Sequence, residues 1–176
     1  SKELQGGGIL LWLGIDEIDQ LLWLTGERIV EVQALAGQVN QAGIEVEDAI
    51  SLAFRYESGA VGTLHCAYVL PRTMSHGYLA IRGAKGSVSV QFDGSVKWIG
   101  PGDRDDPVRE ESLTYTSATL PGYGSMAPAA IRDLLSAIDE DRQPLANGDA
   151  LVAALGVVDA AYEAAATGKR VRVDWT

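Results

Sequence analysis

At 176 residues the chain has the length of one ordinary domain, and its 47% apolar and 22% charged composition fits a packed protein and excludes disorder. Fourteen basic against 24 acidic residues leave a net charge of −10. That argues against nucleic acid, whose binders carry a basic footprint, and against anionic membrane surfaces. The single cysteine, Cys66, cannot form an internal disulfide, so nothing points to an oxidising compartment and the expectation is a cytoplasmic protein.

The chain opens SKELQ and continues GGGILLWLGIDEIDQLLWLTG. Gly6, Gly7 and Gly8 allow a sharp turn or a close backbone approach before a helix. At about 100° per residue, Leu11, Ile15, Ile18 and Leu22 share one stripe of that helix. Trp12, Asp16, Asp19 and Trp23 share a second, roughly a quarter turn away. Leu10, Leu13, Leu21 and Leu24 cover much of the rest, and a helix apolar nearly all round is buried. The stripe with two carboxylates between two indoles therefore faces a cleft, an interface or water. The run from Ile9 to Leu24 is too short and too charged to span a bilayer, and Gly26 stands where a helix C-terminus favours glycine.

From there the period becomes that of strands. Alternation predicts strands over 29–39, 49–56 and 61–70, the last two joined through Glu57-Ser58-Gly59-Ala60. A second hairpin is expected from 77–82 and 87–92 through Gly83-Ala84-Lys85-Gly86. Asp93-Gly94 is a tight-turn dipeptide leading into a strand over 95–99; a polar loop over 100–107 and a short strand over 110–115 follow. The helical period returns over 125–141, with Ser125 as N-cap, Pro128 in the first turn, and Ile131, Leu134, Leu135 and Ile138 as the expected buried stripe. Asn147 or Asp149 caps an alanine-rich helix reaching about Ala166, and 170–174 reads as a last strand. Segregated helices and strands predict an α+β fold, a mainly antiparallel open sheet with helices packed on one face. The strands carry apolar or small residues on both faces, so the other face is expected to be free for dimerisation.

Chemistry-bearing patterns are few. No strand precedes the three glycines, and neither G-x-G-x-x-G nor G-x-x-x-x-G-K-S occurs, so no phosphate cradle is expected. His65 and His76 are the only histidines; Cys66 follows His65 on a strand and points to the opposite face, so the two share neither a metal nor a nucleophile pair. No metal site is expected, and no G-x-S-x-G elbow is present. The Trp12/Asp16/Asp19/Trp23 stripe remains. Indole faces stack on sugar rings or cofactors and carboxylates accept hydrogen bonds from hydroxyls, which makes Trp12, Asp16 and Asp19 the substrate-binding candidates. The bland alternative is a partly exposed polar face whose indoles pack against a neighbouring loop or domain.

These residues resemble a known family. GGGILLWLGIDEIDQLLWLTGE is similar to the stretch that opens the second domain of the glucose–fructose oxidoreductase / inositol dehydrogenase / rhizopine-catabolism (Gfo/Idh/MocA) family. VEDAISLAFRYESGAVGTL at 46–64, YLAIRGAKGSVSV at 78–90 and PLANGDALVAALGVVDAAYEAAATGKRVRV at 144–173 resemble its later motifs in order. The resemblance implies that residues 1–176 are the C-terminal substrate-binding and dimerisation domain of an NAD- or NADP-dependent oxidoreductase acting on a sugar, an inositol or a related polyol. It implies that the N-terminal Rossmann domain and its cofactor site lie outside this chain, so that no cofactor binds here and the chain alone is inactive. The expected partners are a second copy, through the open sheet face, and a small-molecule substrate. The family's catalytic aspartate and histidine fall at positions 12 and 16, where this sequence has Trp12 and Asp16. An indole transfers no proton, and an aspartate is a weak base unless burial raises its pKa. A non-catalytic or engineered domain that binds a ligand or self-associates is therefore the alternative reading.

Overall fold

In the computed structural model, which describes residues 6–39, 43–68, 78–91, 95–100, 110–114 and 127–175, the chain divides into two units. The elements in chain order are a π-helical turn (Leu10–Gly14), α1 (Ile15–Thr25), β1 (Ile29–Gly37), β2 (Ala49–Tyr56), β3 (Val61–Ala67), β4 (Tyr78–Gly83), β5 (Gly86–Gln91), β6 (Ser95–Ile99), β7 (Glu110–Thr114), α2 (Ala127–Asp139), α3 (Gly148–Thr167) and β8 (Val171–Arg172). One unit comprises Ser1–Val69 with Asp141–Thr176, the other Leu70–Glu140. The fold is α+β with antiparallel sheets.

Alternation builds the first sheet, whose order is β3-β2-β1-β8. In β2, Ile50, Leu52, Phe54 and Tyr56 are buried while Ser51, Ala53 and Arg55 are exposed. Register sets Leu52 beside Ala34 of β1 and Leu64 of β3, so the inner face is continuous across the strands. Phe54 meets Tyr56 edge-on at 5.5 Å between centroids. Two helices cover this face. α3 packs on β1 and β8, α1 packs on α3, and the π turn packs on β3. α3 starts at Asn147, whose side chain accepts the Ala150 amide at 3.0 Å, and ends at Gly168 with φ 67°. Its buried side is Ala154, Val157, Val158, Ala160, Ala161 and Ala164, small residues that let it close on the strands. α3 is long and apolar enough, by length and composition, to cross a membrane. Its inward side marks it as a core helix.

The second unit contains an antiparallel sheet in sequence order, β4-β5-β6-β7. The Gly83–Gly86 pair closes the β4–β5 hairpin around Ala84-Lys85. The described strands thus fall into two four-stranded sheets. α2 carries Pro128 in its first turn. The stripe Ile131, Leu134, Leu135 and Ile138, expected to be buried, is 48–68% exposed. Periodicity reports that a helix has an apolar face, not that anything covers it. Among the described residues α2 makes no substantial contact with β4–β7. The Ser125 cap, the Asp93-Gly94 turn, His76 and the loop after Gly100 lie outside the described residues.

The opening helix also departs from expectation. Its first turn is π rather than α, and its buried line is Leu10, Gly14, Ile18 and Leu21, with Leu11, Ile15 and Leu22 half-buried beside it. It is not apolar-buried all round, because Trp12, Leu13, Trp23 and Leu24 are exposed.

Candidate functional site

The π turn has no side-chain cap of its own. The first amides of a helix lack intrahelical partners, and here a distant carboxylate supplies them. Glu47 accepts the Gly8 amide on Oε2 at 3.0 Å and the Leu10 amide on Oε1 at 3.2 Å, while its main-chain oxygen accepts the Ile9 amide at 3.1 Å. A carboxylate also suits the positive end of the helix dipole. The Tyr162 hydroxyl donates to Glu47 Oε1 at 2.8 Å and accepts the Gly8 amide at 3.1 Å. Burial first, and then the hydrogen bond to Glu47 and its charge, hold the Tyr162 phenol above its ordinary pKa. A Cβ on Gly8 would fall on the Glu47 main-chain carbonyl, and one on Gly7 would meet the Tyr162 hydroxyl. Close approach on both sides therefore accounts for these two glycines.

Beside this clasp lies a hollow of about 200 Å³, lined among others by Gly8, Trp12, Val46, Glu47, Asp48 and Tyr68. The Trp12 indole is 60% exposed and Tyr68 45%. Asp48 is buried, and its carboxylate accepts the Val39 amide at 2.7 Å, which fixes the turn carrying Glu47. Of the three candidates read from the sequence, only Trp12 borders the hollow. Asp16 and Asp19 are exposed on α1 and line neither hollow.

Glu17, next to Asp16, has its carboxyl raised by partial desolvation and then by Asp16. Burial and then Glu17 push the Cys66 thiol up to about 11. Such a thiol is a poor nucleophile. Cys66 lies on the covered side of β3; His65 lies on the exposed side, with Nδ1 2.8 Å from Ser51 Oγ. Among the described residues no group of three or more His, Cys, Asp or Glu is placed to hold a metal.

The outer face of the first sheet carries a larger hollow of about 440 Å³, bordered by Glu31, Gln33, Ala53, Arg55, Thr63 and Arg170. Glu31 lies 3.6 Å from Arg55 and 3.2 Å from Arg170. Leu35 and Val61 on this face are 78% and 71% exposed. This face is open, as the strand sequences led one to expect, but charged and polar side chains stand on it beside Leu35 and Val61.

Sequence reasoning passed over Glu47 and Tyr162. Glu47 had one local signal, the acidic pair Glu47-Asp48 set immediately before the strand that begins at Ala49. Tyr162 had none, because its partner is 115 residues away.

A helix pair thus covers one face of an antiparallel sheet in an α+β fold, with the opening helix end clasped by a distant acid. The chain belongs to the Gfo/Idh/MocA oxidoreductases: the family model described as "Oxidoreductase family, C-terminal alpha/beta domain" matches residues 1–173. A 1,5-anhydro-D-fructose reductase from Ensifer adhaerens is 25% identical over 96% of this chain and 48% of its own length. The aldose–aldose oxidoreductase of Caulobacter crescentus, solved with glycerol, is 26% identical with a TM-score of 0.76 over 98% of this chain and 49% of its own. A levoglucosan dehydrogenase solved with NADH has a TM-score of 0.87 at 20% identity, over 100% of this chain and 53% of its own, a likeness of fold. The chain thus spans about half the length of these relatives.

Proposed function

We propose that this chain is the substrate-binding and self-associating half of an NAD- or NADP-dependent cytoplasmic oxidoreductase acting on a sugar, an inositol or a related polyol. It works with a Rossmann domain carried elsewhere in the protein. The observation that carries the reading is the family match over residues 1–173 together with relatives twice as long, named as a sugar reductase and an aldose oxidoreductase. The described strands pair antiparallel. They offer no βαβ unit in which a glycine turn could present a pyrophosphate to a helix N-terminus. The described residues thus do not fit the dinucleotide. What they supply is a hollow bordered by Trp12, with Asp16 and Asp19 exposed on α1 outside its lining. Trp12 and Asp16 favour a second reading, a domain that binds its ligand without turning it over.

Assay of the whole protein that carries this chain decides between them. On the first reading the protein oxidises a polyol with NAD or NADP, and Trp12→Asp with Asp16→His raises the rate. Failure of that protein to bind either dinucleotide overturns the reading. Efficient turnover that the double substitution abolishes would instead mean that Trp12 and Asp16 carry the chemistry themselves.

Self-association is assigned to the open sheet face. A standard interface buries about 1,600 Å² in total. Sedimentation is expected to give a dimer or larger at micromolar concentration, weakened by Leu35→Glu or Val61→Glu. A monomer of 18.7 kDa at every concentration would remove this part of the reading.

A further inference from the structure

We propose that the outer face of the first sheet holds an anion site, in which Arg55 and Arg170 bind a phosphoryl group carried by a small phosphate ester or present as free phosphate. The site uses the face that the helices leave bare, on the far side of the sheet from α1 and α3. It does not rest on the substrate reading of the Trp12 side.

Strand register builds the hollow. In one row Arg172, Glu31, Arg55 and Val61 stand side by side across β8, β1, β2 and β3. In the next row stand Gln33, Ala53 and Thr63. Directly paired residues of antiparallel strands share a face and lie within reach of one another. Ala53 offers a single methyl group where its neighbours carry longer side chains. The space above it is the hollow of about 440 Å³, large enough for a phosphate with a short carbon body attached.

Charge then selects the ligand. Glu31 divides its two oxygens, Oε1 at 3.6 Å from Arg55 Nε and Oε2 at 3.2 Å from Arg170 Nε. Two guanidiniums and one carboxylate border the hollow, so a positive charge is left over in a chain whose net charge is −10. Among the described residues neither guanidinium has a partner other than Glu31. A guanidinium carries five N–H donors, and its planar fork matches the oxygens of a phosphate. One contact each to Glu31 leaves most of those donors for a ligand. The Thr63 hydroxyl and the Gln33 amide border the same space as neutral donors. Arg172, opposite Glu31 in the register, adds positive charge beside it. That surplus favours a phosphoryl dianion over a carboxylate, which has a single charge. Glu31 competes with such a ligand for both arginines, which gives the proposal a sign that a general basic patch would not have.

The test is calorimetry on the 176-residue chain in low-salt buffer free of phosphate, with inorganic phosphate, glycerol 3-phosphate and acetate as probes. Phosphate is expected to bind saturably in the millimolar range, acetate about tenfold more weakly, and added salt weakens both. Tighter binding of glycerol 3-phosphate than of phosphate assigns the site to an ester, equal binding to the free ion, and both support the site. Arg170→Gln, at a side chain 66% exposed, weakens phosphate about tenfold, and Arg55→Gln does the same. Arg170→Lys, which keeps the charge without the fork, falls between. Glu31→Gln tightens phosphate about threefold by removing the competing carboxylate. Lys85→Gln, a charge lost at the β4–β5 turn, changes nothing. Thermal melts without ligand separate unfolding from lost contacts. Absence of saturable phosphate binding, equal binding of acetate, equal losses for Arg170→Gln and Lys85→Gln, or weaker binding by Glu31→Gln overturns the proposal. Sedimentation of the same samples keeps the self-association reading apart, because a monomer that binds phosphate removes that reading and keeps the site.

Discussion

The two units of this chain carry similar amounts of strand but very different interiors. In the unit of β1–β3, β8, α1 and α3, the sheet has one face sealed by two helices, with Ile18, Ile29, Val32, Ile50, Val157 and Val158 at most 2% exposed. In the unit of β4–β7 and α2, the described strand residues are at best half-buried, and α2 turns an apolar stripe outward. Among the described residues Ala137 is the sole buried apolar side chain of that unit. A sequence can thus write the same amphipathic code twice and have it answered once. The first unit holds its own core; the second has apolar surface whose burial depends on something beyond its own described elements.

Paired truncations break or sharpen that contrast most strongly. Ile18→Ala empties a fully buried site between α1 and its neighbours and is expected to cost about 3 kcal/mol. Ile138→Ala, at 68% exposure on α2, is expected to stay within about 0.5 kcal/mol. Chemical denaturation of both variants reads the difference. Similar costs for the two would mean that the α2 stripe is covered in solution.

That pair also marks the limit of what the sequence discloses. The opening helix, the Gly26 stop, the β2–β3 hairpin and the Asn147 cap are local devices, each written within a few residues, and they lie where the pattern puts them. The stripe on α2 was equally legible as a stripe, but whether it is covered depends on tertiary partners that no window of residues contains. The π turn was illegible for another reason. It is a backbone choice made where Gly14 packs against Leu10 and Cys66, and the hydrophobic period barely changes across it. At the candidate site the aromatic half was readable, since Trp12 interrupts an apolar helix. The Glu47–Tyr162 clasp joins three distant segments and left almost no local trace.

The next effect in size tests whether that clasp sets the helix start. Gly8→Ala drives a methyl group into the Glu47 main-chain carbonyl, an approach no rotamer relieves. Overpacking of this kind costs about 2 kcal/mol. Gly26→Ala is strained for a different reason, its φ of 65°, and has open space around it. Both variants are expected to melt early, but only Gly8→Ala should move the Trp12 indole resonance in a proton–nitrogen NMR spectrum. Identical spectral changes would dissociate the clasp from the hollow.

Smaller still is Tyr162→Phe. It removes the hydroxyl that Gly8 and Glu47 share, yet leaves Glu47 Oε1 its bond from Leu10. The expected loss is about 1 kcal/mol at neutral pH by denaturant titration. A loss several times larger would show that the remaining amide bonds to Glu47 depend on the phenol.

The smallest expected effect is an alkaline one, and it returns to the two units. The described groups with raised pKa values, Glu17, Tyr56, Cys66 and Tyr162, all belong to the unit with the sealed core. For Cys66 the folded value is about 11 against an ordinary 9.0, because burial and then Glu17 disfavour the thiolate. As pH rises through this window the unfolded chain loses its thiol proton first, so it binds fewer protons than the folded chain and stability falls. The contribution is fully present below pH 9.0 and is lost on the way to about 11. Tyr162 adds the same sign from its ordinary 10.0 upward. Stability measured by urea titration should therefore be flat from Cys66 at neutral pH and decline across the window, and Cys66→Ala should flatten that first segment while leaving the later decline to the tyrosines. Because these groups sit in the first unit, hydrogen exchange at high pH should show loss of protection spreading from β3 and α1, whereas denaturant at neutral pH should open the β4–β7 sheet first. If both conditions open the same strands first, the separate interiors inferred for the two units do not act separately.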